Sequence, residues 1–285
     1  MYVPMRGMLD KARAGGYAVM AINAFNLESA RGIIQAATEL QAPIIIDLLQ
    51  DHLKAYFDCD VLVPAIRTLV DQTPVPIAIN LDHGHDVAHL KRCLAIGFSS
   101  VMVDASMKPY EENVHTTSEV VRLAKRYGAS VEAEVGCMGC VDDSGLTSTG
   151  MFTDPGTAVS FIEDTGIDAL AVSYGSTHGE YAADYVPTFD FDIVRSIAAR
   201  TNCPLVLHGG SGAGEKNILQ SIEAGISKIN VGTDYMIAQR EYLAHELAER
   251  PKADYPSLMN ESAAAGAAVV RHYIKVSGSS GKARD

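Results

Sequence analysis

Short apolar runs recur along the chain, and most are followed by a stretch whose apolar residues have helical spacing. These runs stay apolar until their last residues, which is typical of strands that are covered on both faces in a parallel sheet. Eight strands are predicted in this way, at residues 17–25, 42–49, 75–83, 100–106, 130–136, 169–175, 204–210 and 226–233.

The intervening stretches carry the start and stop signals of helices. After the fifth strand, Asp154 can cap a helix, Pro155 suits its first turn and Gly166 ends it. Eight alternations of strand and helix predict an α/β protein with a closed (β/α)8 TIM barrel, and the alternative is an open doubly wound sheet. A further C-terminal helix is predicted at roughly 256–276, and residues 1–285 are expected to form one domain.

The formal net charge of the 285-residue chain is −12, which limits the partners that we expect. Nucleic acids and anionic membranes bind basic surfaces, so neither is expected as a partner. An anionic small molecule is compatible with this charge, because backbone N–H groups can bind phosphate in an acidic protein. The five cysteines form no disulfide pattern and the N-terminus lacks a secretory signal, so a cytoplasmic location is expected.

Polar side chains gather at the points where the predicted strands end. In a barrel of this kind, these ends form the active-site face. The group comprises Asn23, Asn26, Asp82, His83, Asp104, Ser106, Glu132, Glu134, His178, His208, Asn230, Thr233 and Asp234. Two other histidines, His52 and His85, fall on a helix or at a helix start and are interpreted as solvated side chains.

Three residues of this group are histidines that follow three different strands, namely His83, His178 and His208. Any one of them alone could simply cap a strand end. Three imidazoles at one face favour a catalytic zinc site, in which three protein ligands leave one position open. Glu134 or Asp104 could supply a further ligand or a second metal position.

His208 leads directly into the glycine-rich sequence GGSGAG, and the eighth strand ends in NVGTD. A glycine cluster alone is a weak signal, because most such clusters are turns. In barrels, however, the loops after strands seven and eight recurrently bind phosphate, and glycine lets the backbone approach the phosphate closely. Beside a metal, this arrangement predicts a phosphorylated substrate that binds the metal through a carbonyl or hydroxyl oxygen.

Six motifs in combination resemble the class II, zinc-dependent ketose-bisphosphate aldolases, a family that includes fructose- and tagatose-bisphosphate aldolases. The motifs are NLDHGHD, SVMVDAS, VEAEVG, STHGEY, LHGGSG and KINVGTD, and the similarity runs from about residue 5 to the C-terminal GSSGKA. The resemblance implies an enzyme that reversibly cleaves a phosphorylated ketose into dihydroxyacetone phosphate and an aldehyde. It also implies a homodimer or homotetramer.

The resemblance further implies roles for individual residues. The zinc ligands would be His83, His178 and His208, with Asp104 and Glu134 at an alternative or second metal position. Asp82 would handle the proton of the C4 hydroxyl group, and zinc would stabilise the resulting enediolate as a Lewis acid. Dihydroxyacetone phosphate would be bound by Asn23, Gly179, Gly209, Gly210, Ser211, Asn230, Val231, Gly232 and Thr233. A sodium or potassium ion near the phosphate would assist.

Two positions depart from the family pattern. Leu49 stands where the family usually has a serine that helps to bind the distal part of some substrates. Asp142, in the sequence GCVDD, stands where the family usually has a mobile-loop glutamate, and it is the candidate for a second acid/base group. The zinc and phosphate motifs are intact.

Three alternatives follow from the same residues. A metal-dependent hydrolase would favour an H-x-H motif after the first strand, where this chain has NAFN. A non-catalytic, aldolase-like binding subunit would explain the changes at Leu49 and Asp142, but it would not need the histidines. A Schiff-base aldolase would need a lysine inside the barrel, and Lys228 is the only lysine in the predicted strands. The fructose and tagatose configurations at C4 both stay open.

Overall fold

Eight parallel strands close into a barrel in the computed structural model of this chain. The structure describes residues 1–136, 139–140, 152–182 and 185–284. The barrel strands are β1 (Val19–Asn23), β2 (Ile44–Leu49), β3 (Ile77–Gly84), β4 (Ser100–Val103), β5 (Ser130–Val135), β6 (Ala169–Val172), β7 (Leu205–Leu207) and β8 (Ile226–Val231). Consecutive strands are neighbours around the ring, and β8 closes on β1 with Lys228 opposite Val19. The predicted (β/α)8 TIM barrel is therefore confirmed.

Every barrel strand is followed by at least one helix. The helices of the described residues are α1 (Met5–Gly15), α2 (Leu27–Glu39), α3 (Gln50–Tyr56), α4 (Cys59–Val70), α5 (Val87–Ile96), α6 (Tyr110–Lys125), α7 (Pro155–Thr165), α8 (Phe191–Ala198), α9 (Glu215–Ala224), α10 (Thr233–Glu249) and α11 (Tyr255–Val276). The Asp154 side chain caps α7 by accepting a hydrogen bond from the Thr157 N–H, and Gly166 ends the helix with φ 66°. Both boundaries are those that the sequence predicts.

Two helices flank the strand–helix repeat, one before β1 and one after α10. α11 is the predicted C-terminal helix, and it packs against α2 and α10. α1 precedes the barrel, and the sequence analysis assigned no element to it. Its side chains Met5, Met8, Leu9 and Ala12 are buried, and they pack with interior side chains of the strands. α1 therefore closes the N-terminal end of the barrel.

Side chains alternate along each strand, so every second residue points into the barrel. Near α1 the interior is apolar and includes Val19 and Ala21. Closer to the C-terminal ends of the strands, the interior becomes polar. The buried polar cluster consists of Asp47, Asn80, Glu132 and Lys228, each with an exposed fraction of 0%. This cluster lies directly beneath the end of the barrel where the sequence predicts the active site.

The strand β3 is irregular where it approaches that end. Its pairing with β4 shifts register between Leu81 and Gly84. His83 has a φ of 47°, and it is one of two non-glycine residues with positive φ in the described part of the chain. In a regular strand, Asp82 and His83 would point to opposite faces. The irregularity lets both side chains face the mouth of the barrel.

Several predicted strands end earlier than expected. The predicted strands 204–210 and 226–233 correspond to β7 and β8, which stop at Leu207 and Val231. His208 follows β7 in a loop, and Thr233 is already the first residue of α10. Both residues line the cavity and lie outside the barrel strands. Within the ranges that the structure describes, no helix is long and apolar enough to cross a membrane.

Candidate functional site

A cavity of about 570 Å³ opens at the C-terminal ends of the barrel strands. Most of the predicted site residues line it, namely Asn23, Asp82, His83, Asp104, Glu134, His178, Gly179, His208, Gly209, Ser211, Asn230, Gly232 and Thr233. Gly210 and Val231 are neighbours of lining residues along the chain but do not line the cavity themselves. Asp142 lies outside the described residues. The sequence pattern therefore locates the cavity and most of its wall.

Three histidines meet at the floor of the cavity. Their ring nitrogens lie within 4.8 Å of one another, and Nε2 of His83 is 3.1 Å from Nδ1 of His208. The ring centroids of His83 and His178 are 5.0 Å apart, and the rings are nearly perpendicular. Three nitrogens bound tetrahedrally to zinc, at about 2.0–2.1 Å each, would lie about 3.3–3.4 Å apart. The cluster therefore fits a zinc ion with little movement.

Carboxylates hold the rings of two of these histidines. Nδ1 of His83 lies 2.8 Å from Oδ2 of Asp104, and Nε2 of His208 lies 2.7 Å from Oε1 of Glu132. Each ring therefore donates one N–H to a carboxylate and turns its other nitrogen toward the cluster. His178 is held differently, because its backbone pairs with Cys140 in a short parallel ladder.

Neighbouring carboxylates also set the charge of the histidine cluster. Burial lowers the pKa of His83, but the Asp82 charge and the hydrogen bond to Asp104 outweigh it and raise the pKa to about 10. Burial and the two neighbouring histidines lower the pKa of His178 to about 3. The site therefore stabilises one concentrated positive charge. A metal ion that binds the rings would take the place of the His83 proton.

Asp82 lies beside the histidines and is 4% exposed. Its Oδ2 accepts a hydrogen bond from Asn23 Nδ2 at 2.9 Å, and its Oδ1 lies 3.4 Å from Asn230 Nδ2. Burial raises the pKa of Asp82, but the charges of His83, His208 and Lys228 outweigh it and hold this pKa below its usual value. The carboxylate is thus ionised at neutral pH, fixed by two amides and adjacent to the histidine cluster.

Glycines shape the cavity wall at the end formed by β7 and β8. Gly209 has a φ of 64°, and a Cβ atom there would overlap the carbonyl oxygen of Thr177. At Gly232, a Cβ atom would lie 2.5 Å from Oδ1 of Asn23. Any side chain at these positions would therefore displace the backbone or fill the cavity, which explains why the sequence uses glycine here.

The start of α10 lies at the same end of the cavity. Gly232 is the N-cap and provides no side-chain oxygen to the first turn. The Asp234 N–H donates to Oγ of Ser211, and the Asp234 carboxylate accepts a hydrogen bond from the Gly212 N–H. These bonds tie the glycine loop to the helix start. Free N–H groups at a helix N-terminus attract anions, so this end suits a phosphate group.

Several residues of the cavity wall were not predicted as site residues. They are Phe25, Asp51, His52, His85, Met107 and Met236. Leu49 and Ser106, which the sequence analysis named, also line the wall. His85 is exposed, as the sequence analysis expects, and His52 is half-buried, but both also line the cavity. α3 begins directly after β2, which places His52 at the rim, and Gln50 holds the His85 ring at 2.6 Å. Their nearness to predicted strand ends is the signal that could have found them.

Lys228 lies inside the barrel but does not line the cavity. Its Nζ is 2.7 Å from Oε2 of Glu132 and 3.9 Å from Oδ2 of Asp47, and all three side chains are fully buried. Glu132 in turn contacts His208. The lysine is therefore a counter-charge beneath the histidines, and it is not positioned to form an imine with a substrate in the cavity.

Residues 3–282 match the family model of class-II fructose-bisphosphate aldolase. The D-tagatose-1,6-bisphosphate aldolase subunit GatY of Klebsiella oxytoca is 39% identical over 283 residues, which cover 98% of this chain and 99% of that protein. The 6-phospho-5-dehydro-2-deoxy-D-gluconate aldolase of Halalkalibacterium halodurans is 38% identical over 287 residues, or 99% of this chain and 98% of that one. The crystal structure of the YdjI aldolase from Escherichia coli K12 matches with a TM-score of 0.88 and 30% identity, covering 99% of this chain and 100% of that chain.

The chain therefore belongs to the class II fructose-bisphosphate aldolase family. It is an aldolase, a carbon–carbon lyase, and the resemblance drawn from the six motifs is confirmed. The family is generally zinc-dependent, and the histidine cluster is a candidate site for that ion. Both named relatives act on phosphorylated sugars. Family membership thus favours the lyase over the hydrolase and over the non-catalytic subunit.

Proposed function

We propose that this aldolase cleaves a phosphorylated ketose between C3 and C4, giving dihydroxyacetone phosphate and an aldehyde, and that the reaction is reversible. The observation that carries the proposal is the position of Asp82 beside the three histidines, in a cavity whose β7–β8 end suits a phosphate. The histidine cluster with its metal ion, the carboxylate base and the anion site would then contact three adjacent parts of one substrate.

The proposed metal is zinc, held by His83, His178 and His208. His83, Asp104 and Glu134 each have one ligand atom within 4.8 Å of the other two. These three residues would form the alternative or second metal position. When bound, zinc would supply a Lewis acid that draws electrons from the substrate carbonyl group as the carbon–carbon bond breaks. Asp104 and Glu132 support the site by holding the rings of His83 and His208.

Asp82 is the proposed base for the C4 hydroxyl proton. Cleavage requires this proton to leave, and an ionised carboxylate can accept it. Hydrogen bonds from Asn23 and Asn230 fix the carboxylate, so little reorientation is needed when substrate binds. Oδ1 of Asn230 is buried and accepts no hydrogen bond from the described residues, so it is available to a substrate hydroxyl group.

The β7–β8 end is the proposed site of the dihydroxyacetone phosphate group. The residues assigned to it are Asn23, Gly179, Gly209, Gly210, Ser211, Asn230, Val231, Gly232 and Thr233. Gly210 and Val231 would contribute through the backbone. A sodium or potassium ion near the phosphate stays a prediction, as does assembly into a homodimer or homotetramer.

A second acid/base group must return a proton to the carbon that cleavage leaves electron-rich. Asp142 is proposed for this role from its place in the sequence alone, since it lies outside the described residues. The names of the two relatives include a tagatose bisphosphate and a phosphorylated deoxygluconate derivative. The configuration at C4 therefore needs measurement on both fructose and tagatose substrates.

The test is condensation of dihydroxyacetone phosphate with a panel of aldehydes, before and after chelation of metals. We expect product only with metal present, and recovery when zinc is added back. Borohydride together with dihydroxyacetone phosphate should leave the enzyme active, because Lys228 is buried and ion-paired. Inactivation by borohydride, or full activity in metal-free protein, would contradict the proposal.

A further inference from the structure

The C-terminal helix α11 reaches the β7–β8 end of the cavity through one side chain, Tyr273. This residue is buried and does not line the cavity itself. Its hydroxyl oxygen lies 2.5 Å from Oδ2 of Asp234 and 3.4 Å from the carbonyl oxygen of Gly210. A hydroxyl group has a single proton to donate, and the shorter contact takes it. Tyr273 therefore donates to a carboxylate in the first turn of α10.

Asp234 connects Tyr273 to the glycine loop between β7 and α9. The Oδ2 atom that accepts from Tyr273 also accepts from the Gly212 N–H at 3.2 Å, and the Asp234 N–H donates to Oγ of Ser211 at 3.2 Å. Asp234 and Gly212 line a separate, smaller cavity of about 190 Å³, whereas Ser211 lines both cavities. The carboxylate therefore holds the loop from outside the space that a substrate would occupy.

The backbone N–H groups of this loop divide into two sets. Those of Gly210 and Gly212 are already bound, the second of them by Asp234. Those of Gly209 and Ser211 donate to no acceptor among the described residues, and both residues line the cavity. A phosphate could use these two free N–H groups. The bond between Gly212 and Asp234 fixes the peptide next to the one that carries the Ser211 N–H.

Contacts at two points fix the position of α11. Gly266 packs so closely on α10 that a Cβ atom there would overlap the ring of Tyr235. The carbonyl oxygen of Ser277, which ends α11, accepts a hydrogen bond from the Ala18 N–H directly before β1. Tyr273 lies between these two points along the helix. Such a support reduces the ordering that a binding site must undergo when its ligand arrives.

We infer that Tyr273 is a positioning residue for the phosphate group of dihydroxyacetone phosphate. Its hydroxyl group holds the Asp234 carboxylate, and Asp234 holds the glycine loop in the conformation that leaves the Ser211 N–H free. Hydrogen bonds to carboxylates are short and strong, so loss of this one should loosen the loop. The inference rests on the proposed function, because it concerns the end of the cavity assigned there to the phosphate.

The test is Tyr273→Phe, which removes the hydroxyl group and keeps the buried ring. Solvent deuterium exchange into dihydroxyacetone phosphate gives kcat and KM for the zinc-loaded protein. We expect KM to rise about tenfold and kcat to change less than about twofold, because the variant weakens binding and leaves Asp82 and the histidines in place. The inhibition constant of inorganic phosphate should rise by a similar factor. A loss confined to kcat, or unchanged inhibition by phosphate, would overturn the inference.

Tyr174→Phe is the matched control. Tyr174 is also buried, its hydroxyl group donates to Oγ of Ser221 at 2.8 Å, and it does not line the cavity. This variant loses the same kind of buried hydrogen bond, so we expect the KM of the wild type. An equal rise in KM in both variants would show that the loss of any buried hydroxyl group has this effect, and would overturn the inference.

A double-mutant cycle tests the connection through Asp234. When Asp234→Ala is already present, Tyr273→Phe should raise KM by less than about a further twofold, because the acceptor is gone. A full tenfold rise on that background would show that Tyr273 acts through another contact, and would overturn the inference.

If Tyr273→Phe does not fold, a comparison of Asp234→Asn with Asp234→Ala measures the same connection. The amide oxygen of asparagine can accept from both Tyr273 and Gly212, whereas alanine offers no acceptor. We expect the KM of Asp234→Ala to exceed that of Asp234→Asn by about tenfold, and equal values would overturn the inference. Zinc-loaded wild-type protein that catalyses no exchange would instead overturn the proposed function.

Discussion

Oε1 of Glu132 lies 2.7 Å from Nε2 of His208, and both side chains are buried. The contact links the interior of the barrel to its mouth. Oε1 of Glu132 accepts a hydrogen bond from the His208 ring, and its Oε2 accepts one from the Lys228 ammonium group. Glu132, a member of the buried polar cluster, therefore fixes which nitrogen of His208 faces the other two histidines.

Replacement of Glu132 should weaken metal binding. In Glu132→Gln, Lys228 loses its closest counter-charge, and the amide no longer attracts the positive charge that builds up at His208. We expect zinc affinity to fall by about 10–100-fold, as is typical for partners of metal ligands. Competition with a chelating dye measures the affinity, and Glu163→Gln serves as a surface control. An affinity equal to that of the wild type would show that Glu132 does not support the ligand.

Replacement of Asp82 should separate catalysis from metal binding. Asp82→Asn keeps the size of the side chain but removes the base, so we expect cleavage to fall by about 10²-fold or more. Zinc content, measured by mass spectrometry of the purified protein, should not change. A protein that loses its zinc along with its activity would make Asp82 a support of the metal site instead of the base.

The buried polar cluster should make stability depend on pH. Burial raises the pKa of Asp47, and this outweighs the opposing charge of Lys228, so the pKa is about 7 in the folded protein. The unfolded value is about 3.9. Because the pKa of Asp47 is higher in the folded than in the unfolded protein, this residue contributes its full stabilisation at pH values below the unfolded pKa. That contribution to the free energy of unfolding is lost as the pH rises through the folded pKa.

Asp47→Asn removes that titration while it keeps an oxygen to accept from Asn80. From pH 5 to pH 8, we therefore expect the variant to gain stability relative to the wild type, by roughly 1–4 kcal/mol. Denaturant unfolding of the metal-free proteins at both pH values measures the difference. The histidines titrate in both proteins, so their contributions to the difference in stability cancel. A difference that stays constant with pH would refute the prediction.

The glycine loop after β7 offers a matched pair of substitutions. Gly209 and Gly214 both have a positive φ, 64° and 80°, which residues with a side chain rarely adopt. A Cβ atom at Gly209 would overlap Thr177, whereas at Gly214 it would meet no atom within 4 Å. Gly209→Ala should therefore weaken dihydroxyacetone phosphate binding by about tenfold or more, and Gly214→Ala should only lower stability, by about 1–3 kcal/mol. Calorimetric titration distinguishes the two, and equal binding by both variants would contradict the assigned phosphate end.

The sequence predicts much of this site because parallel strands bring their C-terminal ends together. A polar residue at such an end must lie at the mouth of the barrel, so His83, His178 and His208 can be grouped from their positions alone. The same reasoning groups Asp82 and Asn230 with them. The helix boundary at Gly166 follows from local chemistry, because a left-handed cap favours glycine.

Other features depend on contacts between distant parts of the chain. The ion pair of Lys228 with Glu132 joins strands on different sides of the barrel, and no local pattern predicts it. The placement of His52 on the cavity wall depends on α3 starting immediately after β2. The packing of α1 beneath the barrel likewise depends on interior side chains that are far away in sequence.

A metal ion bound by the three histidines is proposed to make this barrel act on dihydroxyacetone phosphate. The most direct measurement is the rate of solvent deuterium exchange into dihydroxyacetone phosphate while zinc is added stepwise to metal-free protein. We expect no exchange without zinc, then a linear rise that ends at one zinc ion per chain, and no such rise in His208→Ala. Exchange that continues in protein shown to be metal-free would contradict it.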